Sequence, residues 1–432
     1  MVALSRRLHA ASVAALCVVA VPTVASAQVA PEPVVPVPDP RAADPEAAAL
    51  EPVGARLGSF IIYPKAEAAL MYDDNIYALE DKTDDAVIRL SPSIGIQGDM
   101  GRYTTNLRGR LDRFEYSKRD SESRTDWSVN GGNRYELAER TYLTGNAGYS
   151  RSHEDRGDPN SSFTNLRPNV YKLTELGAGL SRDLARLRAG IVGGYKYYNY
   201  NDAEQIGGGI TNNDDRDRHE YLVEGRLGYE FSPGYALIGR FQWDQVDYRL
   251  PFDDATFDRD SRGWRATAGV GFELTRLLIG EVSAGYLHRS YDDSRFGGIS
   301  RASFGAALNW YPTEITAVRL TADRKVEETV TPNYRGFLAS SFTLNVEHEL
   351  LRTLTLTASA RYSHNDYVRA NTGLAPRRND DVYGASLLAK YALNRNLYTS
   401  LGYDWVKRDS TAIVRGSNFS RNKVWVAVGT QF

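Results

Sequence analysis

The stretch "NKVWVAVGTQF", residues 422–432, ends the chain and decides the fold class. Counting back in twos from Phe432 gives Thr430, Val428, Val426 and Val424, all apolar or β-branched. The residues between them are mostly small, polar or charged. Alternation with a period of two predicts a β-strand whose two faces meet different environments.

The same alternation recurs along the chain from about residue 58. In residues 264–274 one face is apolar, with aromatic residues toward its ends: Trp264, Ala266, Ala268, Val270, Phe272 and Leu274. The other face carries arginine, threonine, glycine and glutamate. Apolar bands that end in aromatic residues are typical of the lipid-facing side of a transmembrane barrel.

The connections between these segments alternate between two lengths. Short turns fall near Asp99, Ala138, Asp183, Thr275 and Leu351 and at "SPG", "PTE" and "LNRN"; longer polar loops are predicted at residues 73–85, 153–168, 202–217, 251–260 and 365–380. This pattern predicts an all-β fold, a single transmembrane antiparallel β-barrel of about 18 strands with short periplasmic turns and longer extracellular loops. A propeller or solenoid is disfavoured because no regular repeat motif is present.

In such a barrel the alternating terminal strand has a further meaning. Val424, Val426, Val428, Thr430 and Phe432 have the form of an outer-membrane assembly signal, which the barrel-insertion machinery would read. We expect outer-membrane lipid to surround the outer face of the barrel.

Composition excludes several other classes of protein. The 432 residues include 27 Tyr, 37 Gly and 3 Met, which favours strands over helix bundles. The formal charge of −2 and the lack of a basic cluster argue against a nucleic-acid partner. Cys17 is the single cysteine, so neither a disulfide framework nor thiol catalysis is expected.

The N-terminal residues predict export. Residues 1–27 combine Arg6 and Arg7, an apolar run and Ala25-Ser26-Ala27, the three parts of a cleaved signal peptide. Residues 28–57 are proline-rich and predict an extended periplasmic linker. Residues 58–432 are then the barrel in the outer membrane of a Gram-negative cell.

Barrels of 16 to 18 strands usually enclose an aqueous channel, and alternation predicts which side chains line it. The pore-lining candidates are Arg108, Arg110, Arg134, Arg188, Arg226, Arg240, Arg265, Arg319, Arg361, Glu224, Glu273, Asp323, Asp404, Tyr198 and Tyr398. One interpretation is a charge-balanced wet wall. The other is a polymer conduit in which Tyr198, Tyr200, Tyr311 and Tyr398 offer ring faces to sugars.

We expect no enzyme activity, catalytic residue, cofactor or metal site. No GxSxG, HExxH or paired-cysteine motif occurs. The acidic loops lack the ligand alternation and closing glutamate of an EF-hand.

The start of the barrel resembles a known family. Gly58-Ser59-Phe60, Pro64, Tyr72-Asp73-Asp74-Asn75-Ile76-Tyr77 and Leu90-Ser91-Pro92 resemble the β-barrel porin family found beside exopolysaccharide synthesis genes. The resemblance implies a conduit or accessory pore for secretion of a polysaccharide, working with periplasmic export proteins. It brings no catalytic residue.

Two other functions are compatible with the residues. A general diffusion porin for small hydrophilic solutes would fold one long loop inward, with residues 153–168 or 202–217 as candidates. A structural or adhesion barrel is the third possibility.

Overall fold

The computed structural model describes residues 50–275, 277–413 and 415–432. The chain forms the following strands: β1 (Ala55–Leu57), β2 (Phe60–Asp73), β3 (Asp85–Asp99), β4 (Tyr103–Tyr116), β5 (Arg124–Ala138), β6 (Thr141–His153), β7 (Val170–Leu184), β8 (Leu187–Tyr200), β9 (Ala203–Glu204), β10 (Ile210–Thr211), β11 (Arg218–Ser232), β12 (Tyr235–Tyr248), β13 (Ser261–Thr275), β14 (Leu278–Tyr291), β15 (Ile299–Thr313), β16 (Thr316–Glu327), β17 (Tyr334–Leu351), β18 (Leu354–Arg369), β19 (Asn379–Ala392), β20 (Leu397–Ser410) and β21 (Phe419–Gln431).

Eighteen of these strands, β2–β8 and β11–β21, form one closed antiparallel barrel. Each pairs with its neighbour in sequence, and β21 closes the barrel against β2 from Lys65↔Gln431 to Asp73↔Lys423. Closure leaves the sheet without a free edge, which a sheet in lipid requires. The predicted fold class and strand number are confirmed.

The two ends of the barrel differ. In the described part of the chain, turns of two to four residues join strands at one end, the turn end, and loops of six to seventeen residues join them at the other, the loop end. One predicted loop boundary is wrong: β18 continues to Arg369, because its backbone stays paired with β17, so the predicted loop at 365–380 shrinks to 370–378.

The outer face is an apolar belt bordered by aromatic side chains. Exposed aromatics near the loop end include Tyr72, Tyr149, Tyr221, Trp243, Trp264 and Tyr403; those near the turn end include Tyr135, Tyr229, Trp310 and Tyr391. Val424, Val426 and Val428 belong to the same face, and Phe432 is exposed at the turn end. Their role in assembly stays a prediction.

The inner face of the closing seam is packed with large side chains over glycines. The Trp425 indole lies against Gly402, and the Tyr398 ring lies against Gly429; a Cβ at either glycine would come within 2.0 to 2.6 Å of the ring. The Tyr398 hydroxyl donates to Glu67 Oε2 at 2.7 Å, which ties β20 to β2 across β21. These contacts fix the register where the barrel closes.

Two features lie at the N-terminal edge of the described residues. Ala55–Leu57, within the predicted linker, form the short strand β1, which pairs with β2. The predicted signal peptide, and the linker up to residue 49, lie outside the described residues. Within 50–275, 277–413 and 415–432, no helix is long and apolar enough to cross a membrane.

Candidate functional site: the loop-crossed lumen

The most distinctive feature of the interior is residues 154–169, here called the crossing loop. This loop leaves β6 and returns to β7, but its middle contacts a loop from the opposite side of the barrel. Asn160 Nδ2 donates to the Glu328 carbonyl at 3.3 Å, and Asn160 Oδ1 accepts from the Val330 amide at 3.2 Å. Residues 328–333 join β16 to β17. Because β6 is the fifth and β17 the fourteenth of eighteen barrel strands, loops from opposite sides of the barrel meet across the lumen.

A buried ion pair fixes the first part of the crossing loop. The Arg421 guanidinium, on β21, donates to both carboxylate oxygens of Asp155, at 2.8 and 3.2 Å. Both side chains are buried. A bidentate pair of this kind is geometrically specific, and removing one partner of a buried pair leaves an uncompensated charge.

Two loop carboxyls at this position have opposite pKa shifts. Burial acts to raise the pKa of Asp155, but the positive charges of Arg421 and Lys423 outweigh it and hold that pKa well below its usual value. Burial raises the pKa of Asp158 well above its usual value, and the negative charges of Asp155 and Glu154 add to the effect. The docked loop therefore keeps the Asp158 carboxyl protonated up to a higher pH than an exposed aspartate would be.

The loop backbone also contacts the wall closely. The Arg408 guanidinium donates to the Gly157 carbonyl at 3.0 Å. A Cβ at Gly157 would lie 2.7 Å from the Phe419 ring, so glycine permits this close approach.

Neighbouring loops hold the rest of the crossing loop. The Arg156 guanidinium pairs with Glu122, and both side chains are almost fully buried. Glu154 pairs with Arg216, which lies in the connection between β8 and β11. The Leu166 amide donates to the Glu204 carbonyl at 2.7 Å. Of the two candidate inward loops, residues 153–168 therefore cross the lumen, and residues 202–217 pack against them.

All fifteen predicted pore-lining residues lie on the lumen face. Side chains alternate between the two faces of a strand. Each of these residues therefore lies on the face away from the exposed apolar side chains of its own or the neighbouring strand. On β4, for example, Arg108 and Arg110 alternate with exposed Leu107 and Leu111. Whether they govern transport stays a prediction.

The structure brings only some of these residues together. Glu281 pairs with both Arg226 and Arg240, from strands β14, β11 and β12. Arg265 donates to Gln242 at 2.7 Å. These side chains, with Glu224 and Asp323, line a cavity of about 390 Å³ in the wall. Arg110 instead pairs with Asp112 at 2.6 Å, and Arg134 covers the Tyr142 ring.

The expected tyrosine platform for sugars does not fit the structure. Tyr198, Tyr200, Tyr311 and Tyr398 are all 7% exposed or less. Arg218 covers the Tyr198 ring at 4.1 Å, and Lys65 and Lys390 lie over Tyr398. Packing and cations thus occupy the ring faces that a sugar would need.

The residues that hold the crossing loop were not singled out from the sequence. Alternation along β21 places Arg421 on the same face as Trp425, so its inward direction was accessible. Asp155, Asp158 and Asn160 lie in an irregular loop without periodicity, and no sequence signal distinguished them from solvated residues.

A comparison with known protein families agrees with this architecture. A family model described as "Putative beta-barrel porin 2" matches residues 48–432. No curated protein matches the sequence significantly.

Solved barrels show low similarity. OpdL of Pseudomonas aeruginosa is 12% identical with a TM-score of 0.43, over 87% of this chain and 99% of that one. The siderophore receptor PiuA of Acinetobacter baumannii is 10% identical with a TM-score of 0.46, over 88% and 82%. A mutant ferric enterobactin receptor, PfeA of Pseudomonas aeruginosa, is 9% identical with a TM-score of 0.45, over 86% and 80%.

The family match covers the whole described barrel, and the closed fold with its apolar belt is that of an outer-membrane channel. The turn end then faces the periplasm and the loop end faces outward. This chain belongs to the family described as beta-barrel porin 2.

Proposed function

We propose that this barrel is a passive channel for small hydrophilic solutes and that the crossing loop sets its size limit. The observation that carries the proposal is the attachment of Asn160 to the β16–β17 loop on the opposite side of the barrel. Two loops that are bonded to each other from opposite sides divide the lumen, so a solute must pass beside them. Because the wall is charge-balanced, it favours passage of solutes of either charge and argues against a strongly selective ion channel.

A polysaccharide conduit, which the family resemblance implies, is the weaker candidate. A polymer in transit would have to displace the Asp155–Arg421 pair and the Asn160 contacts. The covered tyrosine rings also remove the expected sugar platform.

The proposal includes three further expectations. The barrel catalyses no reaction, its N-terminal signal peptide is cleaved after Ala27, and the barrel-insertion machinery assembles it. Periplasmic export proteins are partners only under the polysaccharide alternative.

Liposome swelling tests the size limit. Purified barrel is reconstituted, and swelling is followed with mono-, di- and longer oligosaccharides, with protein-free liposomes as control. We expect rapid entry of the smallest sugars and a steep fall with size. Entry of long oligosaccharides at the rate of monosaccharides would contradict a narrow channel.

The same question has a cellular form. In a strain lacking the gene, compared with its complemented parent, we expect reduced uptake of small solutes and unchanged secreted polysaccharide. Loss of polysaccharide that complementation restores would favour the conduit instead.

A further inference from the structure

A cavity of about 450 Å³ opens on the outer face of the barrel, away from the lumen. Its wall combines outward-facing residues of β4, β5, β6 and β7 with residues of the adjoining loops. Arg124, at the start of β5, is the exception, because its guanidinium lies over the lumen-facing Phe114 and Tyr116 rings. It is lined by Arg113, Ser121, Ser123, Arg124, Thr125, Trp127, Arg151, Arg167, Pro168 and Val170.

The depth of this cavity places it at the border of the apolar belt. Arg113, Thr125 and Arg151 lie within four residues of the loop end of their strands. Just below them, Leu111, Val129 and Tyr149 are exposed to lipid. Trp127 and Tyr149 form an edge-to-face pair with ring centroids 5.4 Å apart, as in an interfacial aromatic girdle. This is the level of lipid headgroups.

The chemistry of the lining is that of an anion site. Four guanidinium groups and three hydroxyl groups surround the cavity, and its ten lining residues include no carboxylate. Three of the arginines also have an acidic neighbour outside the lining. Arg113 donates to Glu115 at 2.6 Å, Arg167 lies 3.9 Å from Glu204, and Arg124 lies 4.0 Å from Asp126.

Arg151 has no such neighbour. Among the described residues no carboxylate lies within 4.0 Å of it, and its guanidinium donates a hydrogen bond to the Thr125 carbonyl. Lys172, its partner in register on β7, is exposed and likewise has no carboxylate that close among them. Two other outward cations on this rim have acidic partners: Lys407 lies 2.8 Å from Asp409, and Arg262 lies 3.7 Å from Asp292.

We propose that this cavity binds the phosphorylated headgroup of an outer-leaflet lipid, with Arg151 and Lys172 as its main uncompensated charges. Guanidinium groups recognise phosphate by paired hydrogen bonds. The apolar surface below the cavity continues the site toward the acyl chains, which favours a lipid over a soluble phosphate. In the purified barrel in detergent, the cavity and the apolar surface below it are accessible, so added lipid can bind there.

Lipid titration of the purified barrel tests this site. Native mass spectrometry measures binding of a diphosphorylated lipid A, the same lipid without phosphates, and inorganic phosphate as competitor. The variants are the double substitution Arg151→Gln with Lys172→Gln, the conservative Arg151→Lys, and Lys407→Gln as a matched rim control. Retention of the heat-modifiable band shows that each variant is folded.

We expect the double variant to lose about 30-fold in affinity for the phosphorylated lipid, since each basic side chain near a charged lipid contributes roughly a factor of five. Arg151→Lys and Lys407→Gln should stay within a few-fold of the parent. Equal binding by the double variant, or equal binding of the phosphate-free lipid, would overturn the proposal. If millimolar inorganic phosphate abolished lipid binding, the ligand of the site would be a soluble anion, and the lipid proposal would be overturned.

Discussion

Asp158 is the residue whose protonation bears most directly on the crossing loop. Its raised pKa means that the docked loop binds the proton of this carboxyl more tightly than an undocked loop would. Docking is therefore favoured below the ordinary aspartate pKa, and that contribution is lost as the pH rises through the raised value. Asp155 has a lowered pKa, so its contribution is lost only in more acidic solution. Arg361, Arg408 and Arg421 face this part of the loop.

Channel conductance should thus rise with pH. Between about pH 4 and about pH 8 we expect single-channel conductance of the parent to increase as Asp158 ionises and the loop loosens. The side chain of Asp158→Asn cannot ionise, so the conductance of this variant should stay at the low-pH value of the parent throughout the pH range. Asp409→Asn, at an exposed rim carboxylate, is the control and should keep the parental profile. An unchanged pH profile in Asp158→Asn would show that this carboxyl does not control docking.

At the scale of elements, the seam of β20, β21 and β2 depends on glycines that accommodate large rings. Trp425 fills the space over Gly402 and forms one buried cluster with Ala69, Met71, Val87 and Ala427. In a close-packed site, an added methyl group forces a side chain or the backbone to move.

Gly402→Ala should therefore weaken the barrel. We expect a loss of about 1–3 kcal/mol in the free energy of unfolding, measured as a lower urea midpoint for loss of the heat-modifiable band. The matched control is Gly193→Ala, since a Cβ at Gly193 meets no atom within 4 Å. Equal midpoints for the two variants would rule out the seam as a packing determinant.

Across the whole molecule, the alternation of residues with a period of two was sufficient to predict the barrel but not the contacts in its interior. Turns near Ala138 and Thr275 and the outward direction of Val424 to Val428 follow from alternation, which the barrel obeys because each face contacts one solvent throughout. Alternation likewise places Arg226 and Asp404 inside.

Contacts between distant loops have no such regularity. The pairing of Asp155 with Arg421 joins residues 266 positions apart, and the covering of Tyr398 by Lys65 depends on barrel closure. No local pattern carries this information. The crossing loop was recognisable as one of two candidates by length, whereas its anchors needed the fold.

The central claim is that the crossing loop narrows the channel, and single-channel conductance of a loop-shortened barrel tests it most directly. Residues 156–166 are replaced by a short Gly/Ser linker that cannot reach Asn160's partners in the β16–β17 loop, and folding is checked by heat modifiability. Arg395→Gln, at a turn on the opposite end of the barrel, is the control. We predict a conductance several-fold above that of the parent, with larger sugars now admitted in liposome swelling. Parental conductance in the shortened barrel would contradict the account.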